Sequence, residues 1–132
     1  MQGHAGVFRT QAGMDEGVRK INAIRERVGS IALKEKSMVF NTARIEALEV
    51  ENLIECPQAT MVSAAARREC RGAHTVSDYE KPADDPVAPL GRDDANWMKH
   101  TLWHSAGNNL TYKPVKLKPL TVDSVPPKVR TF

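Results

Sequence analysis

From Gly13 to Val28 the apolar positions Met14, Val18, Ile21, Ile24 and Val28 recur at three- and four-residue steps, separated by Arg19, Lys20, Arg25, Glu26 and Arg27. That spacing predicts an amphipathic helix over 13–28. Asp15 and Glu16 fall in its expected first turn, where carboxylates favour the helix dipole, and Gly29 is placed to stop it in a left-handed conformation. A polar connector, 30–40, carries Lys34, Glu35 and Lys36. Asn41-Thr42 then offers a cap, and a helical pattern runs from about Ala43 to Arg71. Ile45, Leu48, Val50, Leu53, Ile54, Met61, Ala64 and Ala65 are its expected buried face; Glu46, Glu49, Glu51 and Glu55 form an acidic outer face. Pro57 lies inside this pattern. Because proline removes a backbone hydrogen bond and clashes with the preceding turn, it predicts either a kink near Leu53 to Cys56 or two helices in place of one.

After Gly72 the helical signal stops. Pro82, Pro86 and Pro89 predict an irregular loop over 81–91, and Asp93-Asp94 opens a helical turn into Trp97. Leu102 to His104 and Leu110 to Leu117 alternate around Gly107-Asn108-Asn109 as an antiparallel hairpin would, and Pro119, Pro126 and Pro127 predict an extended tail. The expected fold is mostly α: an incomplete helical bundle with two long helices over 1–76, then loop, short hairpin and extended tail over 77–132 in the same domain.

The length, 132 residues, suits one modest domain. No apolar run approaches the roughly 18 to 20 residues of a membrane span. Met1-Gln2-Gly3-His4 does not read as a secretory or transit signal, so any organelle address is expected to lie outside these residues. Cys56 and Cys70, fourteen positions apart in one expected helix, would stand about 20 Å apart, too far to pair, which fits a reducing compartment. The net charge of +3 is unevenly distributed: Asp78, Glu80, Asp84, Asp85, Asp93 and Asp94 crowd one stretch, whereas Lys99, Lys113, Lys116, Lys118, Lys128 and Arg130 dominate the C-terminal part. These bases are spread singly among prolines, so a solvated tail is the preferred reading over a nucleic-acid footprint.

Candidate chemistry is sparse. Cys70, His74, His100 and His104 form two pairs at four-residue spacing, the spacing of zinc ligands on a helix. His74 follows a helix-stopping glycine and His104 falls in an expected strand, which argues against a shared metal. No nucleophile elbow, dinucleotide fingerprint or phosphate loop occurs in the sequence. The densest polar cluster, Arg67-Arg68-Glu69-Cys70-Arg71-Gly72-Ala73-His74, reads first as a helix C-terminus in which Gly72 takes a positive backbone angle.

RRECRGAHTVSDY (Arg67 to Tyr79) resembles the R-x-E-S-R-G-A-H-x-x-x-D-Y segment of succinate dehydrogenase and fumarate reductase flavoprotein subunits. HAGVFRT (His4 to Thr10), VFNTARIEALEVENLIE (Val39 to Glu55), DDANWMKHTLW (Asp93 to Trp103), YKPV (Tyr112 to Val115) and VPPKVRTF (Val125 to Phe132) resemble the C-terminal region of the same family, in the same order. MQGHAGVFR and VPPKVRTF are similar to the mitochondrial and alphaproteobacterial succinate dehydrogenase type. The resemblance implies a spectrin-repeat-like helical domain, its first helix truncated, packed against a flavin domain. It implies that the complete subunit carries FAD, oxidises succinate to fumarate and passes electrons to an iron–sulfur subunit and on to quinone. Such a complex would sit on the matrix side of the mitochondrial inner membrane or the cytoplasmic face of a bacterial one, touching the membrane only indirectly.

The family's flavin- and dicarboxylate-binding residues lie upstream of the matched region, so no catalytic, cofactor-binding or metal residue is expected in this chain. Arg71, Gly72, His74, Trp97 and His100 are expected to be structural or domain-contacting, with Arg71 and His74 lacking partners inside the chain. Cys70 stands where the family has serine, and Pro57 interrupts an otherwise unbroken helix. The alternative reading is a free-standing helical interaction module; a nucleic-acid partner is not expected.

Overall fold

The computed structural model describes residues 1–80 and 91–127; the loop expected over 81–90 and the last five residues of the tail lie outside the described residues. The chain opens with a single turn, α1 (Gln2–Ala5), and a two-residue strand, β1 (Phe8–Arg9). Two long helices follow, α2 (Gln11–Val28) and α3 (Thr42–Ala66). Then come β2 (Thr75–Val76), a 3-10 turn (Ser77–Tyr79), a short helix α4 (Asp94–Trp97) and the strands β3 (Lys99–His104) and β4 (Asn109–Pro114).

The predicted helices exist, but their ends differ. α2 begins at Gln11 because Thr10 caps it, its Oγ1 accepting from the Gly13 N–H at 3.1 Å. Asp15 and Glu16 therefore lie beyond the first turn. The carboxylate at this helix end comes instead from Asp78, whose Oδ2 accepts from the Gln11 N–H at 2.8 Å. Gly29 is right-handed, φ −65°, not left-handed as expected. The chain leaves α2 through tight bonds from Ser30 N–H to Arg27 C=O and Ile31 N–H to Val28 C=O, which satisfy the terminal carbonyls without a reversal.

α3 is capped as predicted, Asn41 Oδ1 accepting from the Arg44 N–H at 2.9 Å. It runs through Pro57 as one helix and stops at Ala66, five residues before Arg71. The two-helix alternative thus falls. Cys70 also lies beyond the helix, so the single-helix spacing expected for the two cysteines does not apply; both are free thiols, Cys56 exposed and Cys70 buried.

α2 and α3 pack antiparallel, since Gln11 meets Ala65 at one end while Asn22 and Arg25 meet Gln58 farther along. Their shared core is Met14, Ile21, Ile54, Met61 and Ala64, extended by Cys70 and Val76. Gly17 is buried at the closest approach. A Cβ there would stand 2.4 Å from the Met61 methyl and 2.7 Å from the His4 Cβ, so only glycine lets α1, α2 and α3 meet. The expected buried face of α3 is only partly realised: Ile45, Leu48 and Leu53 are 56%, 55% and 60% exposed. Two helices cover only one side of each other, and α1, one turn long, reaches only the Gly17–Met61 level. The N-terminal half of α3 consequently keeps an apolar face in solvent.

β1 pairs in parallel with β2, Phe8 opposite Thr75 and Arg9 opposite Val76. This contact ties the N-terminal segment to the chain beyond α3, and no local pattern in the sequence announced it. β3 and β4 form the predicted antiparallel hairpin, Lys99 opposite Pro114 through His104 opposite Asn109. Its turn residue is Asn108, φ +46°, whose Oδ1 also accepts from the Trp103 indole N–H at 2.9 Å.

Candidate functional site

The segment after α3 folds back on itself around one buried carboxylate. Glu69 is 0% exposed. Its Oε1 accepts from Arg67 and from Arg71 Nε, each at 2.7 Å, and its Oε2 accepts from Arg71 at 3.0 Å and from the Asp93 N–H at 2.9 Å. Burial pushes the carboxyl pKa up, but the bonds from Arg71, Asp93 and Arg67 outweigh it and hold Glu69 below the ordinary carboxylate range. Arg71 also reaches Asp94 at 2.6 Å, and Arg92 flanks the same carboxylate. With Arg92 and Arg71 both donating, the Asp94 pKa falls to about 2.

Arg67 carries this centre to the hairpin. Besides Glu69 it donates to the Trp97 carbonyl at 3.0 Å, the Lys99 carbonyl at 2.8 Å and Thr101 Oγ1 at 3.0 Å. Its guanidinium stands 5.2 Å from the centre of the Trp97 ring. Lys99 Nζ lies 4.7 Å from Trp97 and 4.3 Å from Tyr112, whose rings meet edge to face at 6.0 Å.

Gly72 has φ +58°, the predicted positive angle, but in a different setting. α3 has already ended, and Gly72 turns the chain between Arg71 and His74, which exchange backbone hydrogen bonds at 2.9 and 3.0 Å. His74 is half-buried. Arg9 donates to its Nδ1 at 2.7 Å, and its Nε2 lies 2.9 Å from the Arg67 carbonyl. A guanidinium has only donors, so Nδ1 is unprotonated and Nε2 carries the hydrogen. Burial pushes the imidazole pKa below its ordinary value; the bond to Arg67 opposes this and the Arg9 charge reinforces it. Arg71 and His74 therefore have partners within the chain, contrary to expectation, because α3 ends early enough for the segment to fold over them.

Cys70 Sγ donates to the Val76 carbonyl and accepts from the Val76 N–H, both at 3.3 Å. Burial pushes its thiol pKa up, which suits this donor-and-acceptor role, one a serine hydroxyl can also perform. The four-residue pairs do not converge. His100 and His104 lie on the exposed face of β3, His104 contacting Thr111 Oγ1 at 2.7 Å. Cys70 and His74 belong to the turn, and among the described residues no three His, Cys, Asp or Glu side chains are grouped to hold a metal ion. Of the expected contact residues, Arg71, Gly72, His74 and Trp97 gather at this cluster, whereas His100 faces solvent on the hairpin. Glu69, Arg67 and Arg9, which organise the cluster, are not among the expected site residues; the signal in Glu69 is a lone acid flanked by three arginines, Arg67, Arg68 and Arg71.

The cluster satisfies itself. Among the described residues no buried side-chain nitrogen or oxygen lacks a partner. Residues 1–132, the whole chain, match the family model described as fumarate reductase flavoprotein C-term. The chain belongs to that family.

The relatives of this flavoprotein C-terminal domain are much longer. It is 44% identical over 125 residues to the succinate dehydrogenase flavoprotein subunit of Coxiella burnetii, covering 95% of this chain and 19% of that protein. It is 39% identical over 136 residues to the mitochondrial succinate dehydrogenase [ubiquinone] flavoprotein subunit of Oryza sativa subsp. japonica, covering 100% of this chain and 20% of that protein. Among solved structures, a variant of E. coli quinol fumarate reductase matches with a TM-score of 0.75 and 29% identity, over 96% of this chain and 20% of that one. The chain thus spans about a fifth of the length of the relatives it matches. No helix among the described residues is long and apolar enough to cross a membrane.

Proposed function

We propose that this domain buttresses the flavin domain of a succinate dehydrogenase flavoprotein subunit. Its helical part, 1–76, and its loop, hairpin and tail, 77–132, act as one unit. The contact is made by the face carrying the Arg71–His74 turn and Trp97, with His100 on the adjoining hairpin. The complete subunit would bind FAD, oxidise succinate to fumarate and deliver electrons to an iron–sulfur subunit and quinone. It would be peripheral to the mitochondrial inner membrane or a bacterial cytoplasmic membrane through that complex. Among the described residues the polar cluster is internally paired and the crevice lined by Ile24, Arg27, Val28, Ser30, Ile31 and Val50 is open, neither a fit for FAD. This domain's contribution is accordingly to hold shape.

The observation that carries the reading is the whole-chain match to one-fifth of a flavoprotein subunit. The purified chain is expected to show no flavin spectrum after denaturation and no succinate-dependent dye reduction. It is also expected to co-purify with a separately expressed flavin-domain piece and to raise that piece's melting temperature. No association, with both pieces folded, refutes the buttress and leaves the interaction-module reading.

A further inference from the structure

The N-terminal segment, residues 2–9, is fastened to the rest of the domain by β1–β2 pairing and by two imidazoles, each facing a permanent cation. His4 Nδ1 donates to the Gly13 carbonyl at 2.9 Å, leaving Nε2 to accept from Lys20 Nζ at 3.2 Å. At the other end His74 Nδ1 accepts from Arg9, whose guanidinium also bonds the Gly6 and Ala5 carbonyls at 2.9 and 3.3 Å and so braces the end of α1. Beside His4 the Lys20 charge is relieved by Glu16, which pairs with it at 2.9 Å.

His74 has no comparable relief. The charged groups acting on it are Arg9 from β1 and Arg67 and Glu69 from the segment after α3. The oxygens of Glu69 are already engaged by Arg67, Arg71 and the Asp93 N–H. A proton on Nδ1 converts the Arg9–His74 bond into a contact between two donors, both positive, in a half-buried site.

We infer that His74 is an acid-sensitive latch: neutral, it clamps residues 2–9 through Arg9, and protonated, it releases that segment while the α2–α3 core stays folded. The inference stands on this chain's own contacts and is independent of the buttress reading.

The test is amide hydrogen exchange and imidazole nitrogen NMR on the full chain from about pH 8 to about pH 4.5, exchange rates being corrected for intrinsic base catalysis. At the alkaline end the His74 ring should carry its hydrogen on Nε2. As the ring titrates, protection of residues 2–9 should fall by about tenfold or more while the amides around Ile21 and Met61 keep theirs. His74→Asn, which does not titrate, should abolish the pH dependence. Arg9→Met should raise the His74 midpoint and expose residues 2–9 at every pH. A hydrogen on Nδ1 at the alkaline end overturns the proposal, and this is readable on the parent chain if a variant fails to fold. So does protection that is flat through the His74 titration, or a transition that persists in His74→Asn and disappears in His4→Gln.

Discussion

Replacing Glu69 by Gln changes almost no volume and removes one charge, which isolates the electrostatic role of the cluster. Glu69 is fully buried and accepts four hydrogen bonds, three from guanidinium groups and one from the Asp93 N–H. A glutamine keeps one acceptor oxygen and presents an NH2 group where the other stood, so at least one arginine or the Asp93 N–H meets a donor. Arg67 and Arg71 would be left without their buried countercharge, and Asp94, exposed and shared with Arg92, reaches Arg71 alone of the two. Breaking a buried, hydrogen-bonded ion network by removing one member costs about 3 to 5 kcal/mol; Arg71 is partly exposed and can turn to water, which places the expected loss nearer 3 kcal/mol. For a domain of this size that is a fall in melting temperature of roughly 10 °C. Thermal melts and urea unfolding of the parent and the Glu69→Gln chain measure it. A double variant, Glu69→Met with Arg71→Met, should be less damaged than the sum of its parts, since the second change removes a charge the first has stranded. A Glu69→Gln loss under about 0.5 kcal/mol would refute the reasoning, because that is the range of surface substitutions.

Three further outcomes are expected. Pro57→Ala should stabilise the chain by about 1 to 3 kcal/mol in urea unfolding, since α3 continues through this position and regains a backbone bond; a loss would mean that packing is built around the proline. Gly72→Val should cost more than about 1 kcal/mol purely through backbone strain, because φ is +58° and no heavy atom lies within 4 Å of an added Cβ; Gly72→Asn, which tolerates that region, should be markedly milder in the same melts. Asp94 should titrate near pH 2 in carboxyl NMR and return toward the ordinary aspartate range in Arg92→Ala. As its folded pKa is depressed, its contribution is fully present above the unfolded value of 3.8 and is lost progressively as pH falls from there through about 2.

The helices, the Asn41 cap and the hairpin were legible because each is a local pattern: apolar steps of three and four, a cap before a helical run, alternation around a turn residue. The helix ends were misread wherever a distant residue intervened. Asp78 reaches the start of α2 from 67 positions away, and the return of the chain toward β1 draws it out of α3 at Ala66 rather than at Arg71. Nothing in the neighbourhood of either end carries that information. The buried face of α3 failed for a related reason, since periodicity says which residues share a side and not whether anything covers it.

The polar cluster shows the same limit more sharply. RRECRGAH is conspicuous as a string of charges at a helix end, and a C-terminal cap in which the bases meet the last helix carbonyls and Gly72 takes the left-handed turn is the natural local reading. In the fold, Glu69 is the centre and the arginines point inward and sideways: Arg67 to the hairpin carbonyls, Arg71 to Glu69 and Asp94, with Arg9 arriving from the opposite end of the chain. A lone carboxylate among three arginines is the composition that can be buried, because it supplies one acceptor group to several donors without leaving an oxygen unpaired. That stoichiometry was visible in the sequence. Its meaning depended on residues 9, 93 and 94 converging on it, and only the tertiary fold brings them there. The same convergence explains why hydrogen bonding is so dense at this turn: the cluster joins the N-terminal segment, the end of α3 and the hairpin, and the hairpin adds no residue to the buried hydrophobic core that the other two share.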